Sequence, residues 1–186
     1  MNSIGLLLHY TLRGLELARD RVVGWSLECF LRAKAKQCST VMVSGPCRFA
    51  NVSGLELGQN VRINVGNFWV CEGGVTVGDN TIFARSVTIY SRNHNYTGDA
   101  LPFDDTNIFR PVIIGRNVWV GANVTILPGA CIEDGAIIGG GAVVAGRVPF
   151  GSIVGAPKAA TLSKRDKEHY QRLEAQQAYH GLGIGQ

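Results

Sequence analysis

Residues 111–151 read PVIIGRNVWVGANVTILPGACIEDGAIIGGGAVVAGRVPFG, and this stretch decides the fold. A bulky apolar residue returns every sixth position, at Ile114, Val120, Ile126, Ile132, Ile138, Val144 and Phe150. A small residue or a carboxylate follows most of them: Gly115, Gly121, Glu133, Gly139, Ala145 and Gly151. Leu127 alone breaks that second rule. A six-residue repeat makes physical sense as a short strand plus a turn, in which one side chain points inward and the next, small residue lets the backbone bend. Three such units close one coil, and each inward side chain stacks on its equivalent one coil away. Burying each contributes roughly 1.5–3 kcal/mol, so the stack supplies its own core.

Working outward, the same rhythm appears at Val43 and Phe49, at Leu57 and Ile63, and at Val77, Phe83 and Ile89. The register slips between these groups, as small bulges would make it do. From Ile89 to Ile114 the gap is larger, and the polar segment Ser91 to Pro111 must loop outward. An α/β domain would need helices that residues 40 to 157 do not contain. Residues 1 to 38 instead mix Ile4, Leu8, Val22, Val23, Trp25, Leu27 and Phe30 with charges at helical spacing. They read as one or two amphipathic helices, interrupted at Gly14 and Gly24, that pack on a neighbouring surface or subunit or dock on a membrane.

Composition narrows the function classes. With 24 Gly and 8% aromatics in 186 residues, tight turns and small aliphatics dominate over aromatic packing. The net charge of +4 is modest and the basic residues are scattered except for Lys34/Lys36 and Lys164, Arg165 and Lys167, so no nucleic-acid footprint is apparent and a small anionic ligand suffices. Five cysteines form no CxxC pair and leave one odd, so reduced thiols in a cytoplasm are expected rather than a zinc ribbon or a disulfide framework. Ile4 to Leu8 has no cationic segment ahead of it and no small-residue cleavage site, so export is not expected. The expected location is the cytoplasm, with the inner face of the membrane as an alternative.

The block Pro111 to Gly129 and the closing Gly155-Ala-Pro157 make the chain resemble the hexapeptide-repeat acyltransferases, which include sugar, maltose, galactoside and antibiotic O-acetyltransferases. The resemblance covers about residues 40 to 158. It implies an all-β, left-handed parallel β-helix at 39–158 with a loop insertion at 91–111, flanked by an N-terminal helical segment at 1–38 and a C-terminal helix and tail at 159–186. The left-handed sense comes from the resemblance alone, since crossover connections are otherwise overwhelmingly right-handed.

The resemblance also implies a catalytic histidine in the looped-out insertion. In Ser91-Arg-Asn-His-Asn-Tyr96 that residue is His94, the only histidine in the repeat region. Acyl transfer to a hydroxyl needs a base during attack on the thioester, and imidazole titrates close to neutrality. Asn93 and Tyr96 flank it as candidate acceptor contacts. Asn64 matches an asparagine that donates to developing oxyanion charge, although an asparagine ladder would use the same residue. Glu72 stands where the family carries a carboxylate that holds the acceptor.

Coenzyme A needs a narrow groove for its pantetheine arm and cations near its phosphates. Trp119, Ala122 and Gly140 match positions that line such a groove in the family. For the 3′-phosphate the chain departs from the pattern, with Ala159 where a basic residue is common, leaving Arg147, Lys158 and Lys164 as available cations. The implied assembly is a homotrimer with acetyl-CoA bound between subunits and no metal. A γ-class carbonic anhydrase is disfavoured because His9, His169 and His180 lie outside the repeats. Two alternatives stay open: N-acetylation of an amino sugar or amino acid, and a non-enzymatic structural β-helix.

Overall fold

The computed structural model describes residues 3–157 and 163–178. Two compact units are distinguished, Met1–Ala156 and Pro157–Gln186. In the second, helix α2 (Lys167–Ala175) is capped by the Asp166 carboxylate, which accepts the His169 N–H at 2.6 Å.

The first unit is a parallel β-solenoid. Its strands stack into three sheets, two of six strands and one of five. Face I carries Leu55–Leu57, Val75–Val77, Val112–Ile114, Cys131–Ile132 and Arg147–Val148 among its strands. Face II carries Val41–Ser44, Val61–Asn64, Ile82–Phe83, Trp119–Val120, Ile137–Ile138 and Ile153–Val154. Face III carries Arg48–Ala50, Phe68–Val70, Thr88–Tyr90, Thr125–Ile126 and Val143–Val144. The chain runs from I to II to III in every coil, and the inward residues stack in register: Leu57 on Val77, Val77 on Ile114, Ile114 on Ile132. Trp69 fills the early coils, edge-on to both Phe49 and Phe83 at centroid distances of 5.3 and 4.7 Å.

The register slips have one location, the corner where face III turns into face I. From Phe49 to Leu57 and from Trp69 to Val77 the chain takes eight residues instead of six. From Ile89 to Ile114 the same corner expands into the insertion, whose arms Arg92–His94 and Asn107–Phe109 pair as an antiparallel ribbon. At the last coil the corner shortens, because Gly146 turns at φ +82 and Val148 follows Val144 after four residues. This overturns the seventh member of the six-residue series: Val148 stacks under Ile132, whereas Phe150 is 75% exposed. Asparagines share the other left-handed turns with glycines and Ser86, and Asn60, Asn80 and Asn117 form a side-chain ladder at the corner between faces I and II.

The N-terminal segment is one continuous helix, α1 (Ser3–Lys34), rather than two pieces broken at glycines. Gly24 is buried against the first coil, and a Cβ there would collide with the Val43 carbonyl oxygen. Glycine at 24 therefore serves close approach, and the tolerated helix-interior cost is offset by packing. Leu31 is fully buried beside it, and the Glu28 carboxylate accepts the Val43 N–H at 2.8 Å.

Candidate functional site

The insertion leaves the solenoid through Ser91, a fully buried residue. Its hydroxyl donates to the Val70 carbonyl at 2.8 Å and accepts the Gly73 N–H at 2.9 Å, while its own carbonyl accepts the Arg110 N–H at 2.9 Å. Both arms of the loop are thereby tied to the coil below. From this base the ribbon projects Asn93 and His94, both exposed. The His94 ring lies against Phe103 in a near-parallel stack, centroids 4.0 Å apart and planes 13° apart. Across the ribbon His94 is register partner of Asn107, whose side-chain oxygen is buried and has no hydrogen-bond partner in the structure.

A cleft of about 350 Å³ opens at this corner, lined by Val70, Tyr90, Arg92, Asn93, His94, Leu127 and Pro128. A second, of about 210 Å³, shares Asn93, Leu127 and Pro128 with it and adds Tyr96, Ile108, Arg110 and Ala145. His94, Asn93 and Tyr96 thus come together around one pair of clefts. Glu72 reaches them only through Arg92, which it pairs with at 2.7 Å while its other oxygen takes the Asn51 amide. The pair places the Arg92 guanidinium beside the cleft.

Asn64 is elsewhere, at the end of its face II strand. One amide proton goes to the Phe83 carbonyl at 2.9 Å, and the Asn64 carbonyl accepts from the Asn67 amide at 2.6 Å. Trp119, 56% exposed, stands outward on face II between its register partners Ile82 and Ile137. Ala122 and Gly140 lie just beyond, on successive coils, joined where the Gly141 N–H meets the Ala122 carbonyl at 2.8 Å. Arg147 belongs to face I, its guanidinium Nε donating to Glu133 at 2.6 Å. That contact holds the Glu133 carboxyl below its usual range. Lys158 lies outside the described residues, and Lys164 lies in the second unit. Among the described residues no cluster of three or more His, Cys, Asp or Glu could hold a metal ion.

The candidates therefore form two groups on one chain: His94, Asn93, Tyr96 and Glu72 at the corner between faces III and I, and Asn64, Trp119, Ala122 and Gly140 on face II and its corner with III. Residues 111–146 match the family model for the bacterial transferase hexapeptide, six repeats. The match covers the uninterrupted coils after the insertion.

The chain is similar in structure to a maltose O-acetyltransferase from Clostridium difficile, with 27% identity, 75% of this chain and 83% of that chain covered, and a TM-score of 0.62. It is also similar to a hexapeptide-repeat containing acetyltransferase from Vibrio cholerae, at 22% identity, 84% and 89% coverage and a TM-score of 0.64. A galactoside acetyltransferase solved with coenzyme A gives 23% identity, 75% and 78% coverage and a TM-score of 0.53. The last two show the fold alone. No curated protein sequence matches the chain.

Several cleft residues escaped sequence reasoning. Leu127, the one exception to the small-follower rule, lines both clefts, so the break in the pattern was itself the signal. Tyr90 and Val70 point outward from face III, which only the register of that face reveals. Nothing in the sequence singles out Phe103 as the ring beside His94.

Proposed function

We propose that this protein is an acyl-CoA-dependent O-acetyltransferase with His94 as general base, acting on a sugar or cell-surface polysaccharide precursor in the cytoplasm. The observation that carries it is an exposed imidazole at the mouth of a cleft, on an insertion that interrupts an otherwise continuous coil. A solenoid gains no stability from such an interruption, and loops on rigid scaffolds carry function. The likeness to the maltose O-acetyltransferase supports the reaction class.

In the proposed reaction His94 takes the acceptor hydroxyl proton as the oxygen attacks the thioester carbonyl carbon. Negative charge develops on the carbonyl oxygen, where an amide donor stabilises it. The tetrahedral intermediate then collapses with cleavage of the C–S bond, and the imidazolium returns its proton to the leaving thiolate. Asn107, opposite His94 with an unpartnered amide oxygen, can accept the second imidazole N–H and orient the ring. The acceptor fits the cleft chemistry: Tyr90, Val70 and Leu127 give an apolar wall, and Arg92 and Asn93 give donors for hydroxyls.

The two-group layout supports a homotrimer in which neighbouring chains share each site. Face II presents Ile82, Trp119, Ile137 and Ile153 in one register row, face III presents Phe68 and Val143 in a row with Arg48, Thr88 and Thr125, and face I presents Ile113 in a row with Glu56, Thr76 and Arg147. The apolar run on face II suits a heterologous contact that closes as a ring. The Trp119, Ala122 and Gly140 surface of one chain then provides the pantetheine groove, with Asn64 as the oxyanion donor and Arg147 as a phosphate partner.

A mass-spectrometric screen of sugars, nucleotide sugars and lipid-linked glycans with acetyl-CoA tests this. An acetyl shift on a hydroxyl-bearing class is expected. Acetylation of amines alone would replace O-transfer by N-transfer, and an absence of acetyl-CoA binding by calorimetry would favour a structural role.

A further inference from the structure

Helix α1 has a second apolar side. Gly24, Leu27 and Leu31 face the first coil. With 3.6 residues per turn, Leu15, Ala18, Val22, Trp25 and Cys29 fall in one arc of about 80° on the opposite side. Leu15, Val22 and Trp25 are 67%, 66% and 67% exposed, so the first coil does not cover them. A surface helix needs one apolar stripe, and the second requires another surface.

Charge identifies that surface. The helix acids from residue 13 on, Glu16, Asp20 and Glu28, all fall on the coil-facing half, where Glu28 is bound to the Val43 N–H. Arg19 flanks the outward stripe on one side, and Arg21 and Arg32 flank it on the other. Only Arg19 has an ion-pair partner among the described residues, the neighbouring Asp20, at 2.9 Å in an exposed pair of small energetic weight. A tryptophan within an apolar stripe, shouldered by arginines whose stems can snorkel, matches a helix lying in a bilayer interface. Among the described residues no helix is long and apolar enough to cross a membrane.

We propose that α1 docks the protein on an anionic lipid bilayer through the Leu15–Val22–Trp25 stripe, with Arg19, Arg21 and Arg32 on lipid phosphates. This surface is separate from the His94 clefts, so the inference stands or falls independently of acyl transfer.

The test is co-sedimentation of the full chain with vesicles. Binding is expected with phosphatidylcholine vesicles that contain phosphatidylglycerol, weakened by salt, and not with phosphatidylcholine alone. Each of Arg19→Gln, Arg21→Gln and Arg32→Gln should lower partition about fivefold. Val22→Ser combined with Trp25→Ser should abolish binding while circular dichroism stays that of the wild type, because both positions are exposed. No binding, or equal binding to neutral vesicles, would overturn the proposal. So would lipid-free self-association that the double variant dissolves, since the stripe would then belong to a second copy.

Discussion

The Phe103 ring covers one face of the His94 imidazole at 4.0 Å, almost parallel to it. The stack limits rotation of the imidazole, which lines the cleft. Phe103→Ala should lower kcat roughly tenfold through misplacement of the base, with KM for acetyl-CoA little changed. Phe103→Tyr keeps the stack and should restore turnover. Equal kcat in all three proteins would show that the stack has no part in catalysis.

The same loop carries a pH dependence. The Asp104 carboxylate accepts the Thr106 hydroxyl and, at 2.9 Å, the Thr106 N–H, and these bonds hold its carboxyl below the ordinary 3.8. A depressed folded pKa means that the contribution is fully present above the ordinary value and is lost as pH falls through the lowered one. Amide exchange at Thr106, followed by NMR, should accelerate across that acidic window. In Asp104→Asn the acceleration should vanish, and unchanged protection of the wild type across the window would contradict the assignment.

Core packing makes a third prediction. Trp69 is fully buried between Phe49 and Phe83, and its indole N–H donates to the Asn67 side chain at 3.1 Å. Trp69→Ala should cost about 3–5 kcal/mol from cavity formation, with further loss from the stranded Asn67 oxygen. Denaturant unfolding measures this, and a cost under about 1 kcal/mol would mean that the early coils tolerate truncation as a surface does.

Sharing of sites between chains can be read from mixtures. If His94 and Asn64 act across an interface, co-refolding His94→Ala with Asn64→Ala in equal amounts should restore activity to roughly a quarter of wild type by random cyclic assembly. Activity no higher than that of either single variant would place both residues in one chain's site or remove one of them from it.

The coil was legible in the sequence because each inward position is forced by the same physics: one aliphatic residue, one bend, one stacking partner. Ile114 through Val144 follow that rule without interruption. Phe150 deceived because hydrophobicity at the right interval looks the same whether the chain has kept six residues per side or, as at Gly146, cut a corner. Gly24 deceived in the opposite direction, since a glycine needed for contact with Val43 is written like one that breaks a helix. His94 was a candidate through the family resemblance of the insertion, but its surroundings could not be read. Arg92, Leu127 and Phe103 meet near it through the register of face III and the folding of the ribbon back on itself, neither of which has a local sequence signature.

The most direct test of the central claim is steady-state acetyl transfer by His94→Ala, once an acceptor has been found, alongside calorimetric acetyl-CoA binding. General-base catalysis predicts a fall in turnover of roughly 10²-fold or more, with acetyl-CoA affinity and the circular dichroism spectrum unchanged. Turnover equal to that of the wild type in a folded, acetyl-CoA-binding His94→Ala protein would contradict it.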